Sequence, residues 1–130
     1  MKKQLELAVF LKQIGAGACS YNEDYKDRFH KLAMAALGEL ERSLGFRTSE
    51  RHFNSGGVAV SGDAVLRGMW EEGKGAYVHI NNDMSAPYGD FYFRAIVGMN
   101  DFCGKANYWA KFDELGTQKL VDRILKVKED

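Results

Sequence analysis

Val58-Ala59-Val60-Ser61-Gly62-Asp63-Ala64-Val65-Leu66-Arg67, then Ala76-Tyr77-Val78-His79-Ile80, then Phe91-Tyr92-Phe93-Arg94-Ala95-Ile96-Val97 are the stretches that decide the fold. Apolar and polar residues alternate through them, as they do where one face of an antiparallel sheet is buried and the other is not. Taken in one phase, Val58, Val60, Leu66, Val78, Ile80, Phe91, Phe93 and Val97 form the face expected to meet the core. The opposite phase collects Ser61, Asp63, Arg67, Tyr77, His79, Tyr92 and Arg94. We read Val58 to about Gly68 as one long strand with Gly62 as a bulge or close approach; a two-residue turn at Gly62-Asp63 is the alternative.

Outward from these runs, Glu50 to Asn54 is expected to be an earlier strand and Asn54-Ser55-Gly56-Gly57 a turn. Glu71 to Gly75 reads as a charged loop, and Asn81 to Gly89, with the single proline Pro87, as a loop before the fourth strand. On the N-terminal side the apolar period changes from two to that of a helix. Tyr25, Phe29, Leu32, Ala36, Leu37, Leu40 and Leu44 recur at helical spacing, with Asn22 or Asp24 as caps and Gly45 suited to a left-handed C-terminal position. Gly38 inside this helix costs about 1 kcal/mol against alanine, which a close helix–sheet contact would justify. Leu5, Ala8, Val9, Leu11 and Ile14 suggest a shorter first helix, stopped by Gly15-Ala16-Gly17. Asp113 or Thr117 is expected to open a last helix carrying Leu120, Val121, Ile124 and Leu125. The fold class is α+β: an antiparallel meander of about four strands with two N-terminal helices and one C-terminal helix on one face, forming a single domain over residues 1–130.

The bulk numbers narrow the function. The 130 residues carry eighteen basic and eighteen acidic side chains. A protein built for duplex phosphates usually shows a basic excess, so this balance disfavours generic DNA binding. Cys19 and Cys103 show no framework or zinc spacing, and the three histidines show no ligand pattern with them, so neither a metal nor another cofactor is expected. Glu6 interrupts the apolar N-terminal stretch and no segment approaches membrane-spanning length, so a cytoplasmic protein is expected, monomeric or homodimeric, with no membrane partner.

The candidate binding residues are Arg67, Tyr77, His79, Tyr92 and Arg94. Tyrosines interleaved with arginines are enriched at protein–protein hot spots, and on an open sheet they also stack the bases of single-stranded nucleic acid. A plainer reading makes Tyr77 and Tyr92 a cross-strand pair that stabilises the sheet by a few tenths to about 1 kcal/mol. A cysteine-dependent enzyme would need Cys103 beside His79 or His52, oriented by Asp101 or Asp63; no catalytic residue is assigned, because buried packing is the commoner fate of such a thiol. Trp109, in Asn107-Tyr108-Trp109, either closes the edge of the core or anchors a partner, with burial favoured.

Gly56-Gly57-Val58-Ala59-Val60-Ser61-Gly62-Asp63, the Tyr77-Val78 strand, Phe93-Arg94, Gly98, Asp101, Gly104, Asn107 and Trp109 together resemble small uncharacterised phage and plasmid proteins related to large polyvalent protein-associated domains. The resemblance runs from Phe46 to Trp109, about half the chain. Cys103 and Lys105 flank Gly104 where a glycine pair is commoner. The family carries no established activity to transfer. It implies a mobile genetic element as the source, whose accessory proteins often bind a host or defence protein. The expectation is therefore a non-enzymatic binding protein, with inhibition of a host defence complex as the role such an element would give it.

Overall fold

The computed structural model describes residues 1–14, 23–54, 62–81, 90–102 and 105–130. Three helices, α1 (Lys2–Ile14), α2 (Glu23–Leu44) and α3 (Gln118–Leu125), accompany five strands: β1 (Thr48–Asn54), β2 (Asp63–Glu71), β3 (Lys74–Asn81), β4 (Phe91–Ile96) and β5 (Tyr108–Ala110). The strands form one antiparallel sheet in the order β1-β2-β3-β4-β5. The architecture is α+β, with one strand more than the sequence reading supplied.

Directly paired residues share a face, so the register fixes both sides of the sheet. Leu66 opposes Val78, and Val78 opposes Phe93. These three are buried in one core with Phe29, Leu37 and Leu40 of α2 and with Leu120 and Ile124 of α3. Burying each such side chain is worth about 1.5–3 kcal/mol, which ties the helical stripe to the strand phase read from the sequence. Val97 departs from that reading. β4 ends at Ile96, and Val97, one residue into the following turn, is 59% exposed.

Several boundaries differ from expectation. β2 starts at Asp63, opposite Asn54, so Gly62 lies before the strand, not inside it. Its φ of +96° is one that side-chain-bearing residues avoid. The expected strand from Val58 to Ser61 lies outside the described residues, as do Gly15-Ala16-Gly17 and Pro87. The supposed charged loop at Glu71 to Gly75 is a tight turn through Glu72 and Gly73, with Glu71 paired to Lys74. A register shift between Met69 and Glu71 makes Trp70 the extra residue, and its indole Nε1–H donates to the Leu44 carbonyl at 2.7 Å. That bond satisfies one of the free acceptors at the C-terminus of α2. Gly45 follows with φ +67°, as its position after the last leucine suggested.

α2 begins at Glu23, so Asp24 sits within its first turn and does not cap it. Thr117 does cap α3, its hydroxyl accepting from the Leu120 amide at 3.3 Å, while Asp113 belongs to the preceding 3-10 turn, Phe112–Glu114. Gly38 makes room for Arg51, whose guanidinium donates to the Met34 carbonyl at 2.8 Å and lies 3.2 Å from Glu41. A side chain of β1 thus crosses α2 at its glycine. α1 is tied to α2 by Glu39, whose carboxylate accepts from the amides of Lys3 and Gln4 at 2.8 and 2.9 Å. Burial works against the charged form of Glu39, but these bonds and the terminal ammonium outweigh it and hold the carboxyl below its ordinary range. The buried residues of α1 are Gln4, Leu7, Ala8, Phe10 and Leu11; Leu5 and Val9, two of the apolar residues that suggested the helix, are exposed.

Candidate functional site

The second face of the sheet holds the five candidate residues together. Arg67 pairs with Tyr77 and Tyr77 with Arg94, while Val65 pairs with His79 and His79 with Tyr92. β5 carries the pattern one strand further, because Tyr92 pairs with Trp109. Trp109 therefore belongs to this aromatic face, half-buried, with Ala110 taking the core position beside it. The result is a row of rings across three strands: His79 to Tyr92 at 4.9 Å and Tyr92 to Trp109 at 5.3 Å between centroids. Tyr77 flanks it, 6.3 Å from His79 and 6.1 Å from Tyr92. The two tyrosines are diagonal neighbours, so the direct cross-strand partners are Tyr77 with Arg94 and His79 with Tyr92.

The row is stiffened by polar contacts at one end. His79 Nε2 lies 3.4 Å from Asp63 Oδ1 on the neighbouring strand. Burial lowers the His79 pKa and Asp63 only partly offsets this, so the imidazole is neutral at pH 7. Tyr92 is pushed up to about 12, first by burial and then by its charge interaction and hydrogen bond with Tyr77. Its hydroxyl stays protonated across the physiological range. These are groups held in one protonation state and one orientation, which suits contact with a partner's surface.

At the other end the face is not open, contrary to the expectation of an exposed sheet. The turn that follows β4, residues 97–102, folds back over it. Arg67 Nη1 donates to the Met99 carbonyl at 3.0 Å, and Arg94 Nη2 to the Asp101 carbonyl at 3.2 Å. Within the turn, the Val97 amide donates to Asp101 Oδ2 at 3.0 Å and the Asp101 amide to the Gly98 carbonyl at 3.1 Å. Arg94 is left only 7% exposed, and Ile96 and Val65 are buried beside it. Both guanidiniums stand over the Tyr77 ring, with Cζ at 5.5 Å for Arg67 and 4.5 Å for Arg94. The rings from Tyr77 to Trp109 are half-buried, Glu50 and His52 of β1 are exposed side chains of the same face, and the two cations cover the Tyr77 end of the row.

The thiol reading has fewer residues to rest on. Cys103 and Cys19 lie outside the described residues, as does Ser61. His79 and Asp63 do meet, whereas Asp101 is engaged with the Val97 amide and His52 sits two strands from His79 across Val65. Among the described residues no three histidine, cysteine, aspartate or glutamate side chains could together hold a metal ion, and no helix is long and apolar enough to cross a membrane. A second surface lies apart from the sheet: an apolar groove along α1 and α2, lined by Leu5, Val9, Phe10 and Leu32 with Arg28 at its rim.

No protein-family model, no curated protein and no solved structure matches the chain.

Proposed function

We propose that this chain is a non-enzymatic binding protein that engages a protein partner through the aromatic face of its sheet. The observation that carries the reading is the continuous row of His79, Tyr92 and Trp109, flanked by Tyr77, on three adjacent strands. Tyrosine and tryptophan offer large contact areas at small cost in side-chain freedom, which is why they dominate the energetics of protein interfaces. A sheet fixes their spacing before the partner arrives, so little ordering remains to be done on binding. The resemblance of Phe46 to Trp109 to phage and plasmid proteins supports placing the protein in a mobile genetic element, acting in the host cytoplasm on a host or defence protein.

Single-stranded nucleic acid is the competing ligand for such a row, since bases also stack on aromatic rings. The disposition of the cations favours protein. Arg67 and Arg94 are bonded to backbone carbonyls and overlie Tyr77, so they do not line an open track for phosphates.

Capture from a bacterial host lysate with the wild-type chain and with Trp109→Ala, followed by mass spectrometry, tests the proposal. The expected result is a specific protein retained by the wild type and lost with the variant. Absence of any specific protein, together with oligonucleotide binding that weakens steeply with salt, would replace it with the nucleic-acid reading.

A further inference from the structure

We infer that Arg67 and Arg94, on either side of Tyr77, form a subsite for a carboxylate side chain of the protein partner. The inference rests on the protein-binding reading of this face and names the chemistry of its ligand.

The two guanidiniums are under-compensated. Arg94 is 7% exposed, and among the described residues no carboxylate lies within ion-pair distance of it. Arg67 has Glu50 at 3.7 Å, too long for a hydrogen bond, and that glutamate side chain is 58% exposed. Among the described residues, the remaining hydrogen-bond partners of the two guanidiniums are the neutral Met99 and Asp101 carbonyls. Two buried nitrogens, Arg67 Nε and Arg94 Nη1, have no acceptor. Orphaned buried donors are uncommon in folded proteins, and on charged groups they are costly. Two cations sharing one loose carboxylate are complementary to one further negative charge.

A carboxylate answers this arrangement better than a carbonyl does. It brings the missing charge, and its two oxygens accept from a guanidinium in parallel, in bonds roughly twice as strong as neutral ones. Its route is the 97–102 turn, whose Met99 and Asp101 carbonyls occupy the guanidiniums and would be replaced by the incoming oxygens. Phe102, 71% exposed on that turn with Arg67 5.2 Å from its ring centroid, adds an apolar contact at the entrance. A phosphodiester chain fits less well. The cations are recessed, within reach of a single group on a flexible side-chain stem, whereas a phosphodiester carries its charge in the backbone itself and cannot extend one group into the recess.

The test uses the full chain and three probes: N-acetylated hexaglutamate, hexaglutamine and a short oligothymidylate, with the Nε–Hε signals of Arg67 and Arg94 followed by NMR. Hexaglutamate should shift both signals saturably and hexaglutamine should not. Arg67→Lys and Arg94→Lys should each weaken the response by about tenfold, since an ammonium cannot make the paired bonds. Glu50→Gln, which removes the competing carboxylate, should strengthen it. If Arg94→Lys fails to fold, Arg67→Lys and Glu50→Gln carry the test. Equal response to hexaglutamine, no saturable shift, or a larger response to oligothymidylate would each overturn the subsite. Failure here is distinguishable from failure of the parent reading. A host protein captured equally by wild type and Arg67→Lys discards the subsite and leaves the aromatic face standing. Hexaglutamate binding with no protein captured does the reverse.

Discussion

The face turned towards the helices carries Leu66, Val78, Ile80 and Phe93, all excluded from water by side chains of α2 and α3. The opposite face also buries Val65, Arg94 and Ile96, and there a turn of its own chain is held down by two arginine–carbonyl bonds. The first arrangement uses apolar area, which is non-directional and tolerant of small shifts. The second uses hydrogen bonds to charged groups, which are directional and fail when one partner is lost. One side is built to stay shut. The other is held by contacts that a suitable ligand could exchange.

Substitutions on neighbouring residues of β4 test this contrast most sharply. Phe93→Ala leaves a cavity in the helix-facing core and should cost about 3–5 kcal/mol in chemical denaturation. Tyr92→Ala, pointing the other way from the adjacent position, should cost clearly less and should weaken partner capture instead. A greater loss for Tyr92→Ala would mean that the aromatic face, and not the helical one, is the structural centre. A smaller effect is expected from Gly68→Ala. An added Cβ there would lie 2.3 Å from the Phe46 ring, and overpacking of this kind costs about 1–3 kcal/mol. An unchanged denaturation midpoint would show that Phe46, packed against Trp70 at 4.9 Å, yields freely.

The smallest expected effect is confined to acid and separates the faces by pH. His79 has a folded pKa below its ordinary 6.5 because of burial. The folded state therefore binds fewer protons than the unfolded one, and this contribution to stability is full above about pH 6.5 and is lost as the pH falls through the folded value. Glu39 follows the same sign in a lower window, beginning below its ordinary 4.5. Denaturation midpoints measured from about pH 7.5 to about pH 3.5 should decline, and His79→Gln should flatten the upper part of that decline while leaving the part below pH 4.5, where Glu39 acts, in place. A decline that persists in the variant would assign it to another group.

The helix-facing half of this contrast was legible in the sequence because its signals are periodic. Phe29, Leu37 and Leu40 repeat at helical spacing and Leu66, Val78 and Phe93 at strand spacing, so each element announces its buried side. The same alternation put Arg67, Tyr77, His79, Tyr92 and Arg94 on one face, and the register bears that placement out. β5 escaped notice because three residues are too few to display a period. Trp109 was consequently left between core and anchor, and its place in the aromatic row depends on pairing with Tyr92. The burial of Arg94 had no sequence signal at all, since its partner is a backbone carbonyl that every residue possesses. Val97 kept the apolar phase of β4 after the strand itself had stopped.

The strictly sequential strand order has a kinetic consequence. Each strand pairs with its neighbour in the chain, so hairpins can close one after another with little chain entropy lost at each step. The tight turn at Glu72 and Gly73 is the natural nucleus, since it joins the two longest strands through two residues. One hydrogen bond of very long span is of another kind. Gln4 of α1, fully buried, accepts from the Gly116 amide at 3.0 Å across 112 positions of sequence. Contacts of that span are the slowest to form. φ values should accordingly be high for substitutions along β2 and β3 and near zero for Gln4→Ala, which would speed unfolding while leaving the folding rate almost untouched; a high value at Gln4 would reverse that order.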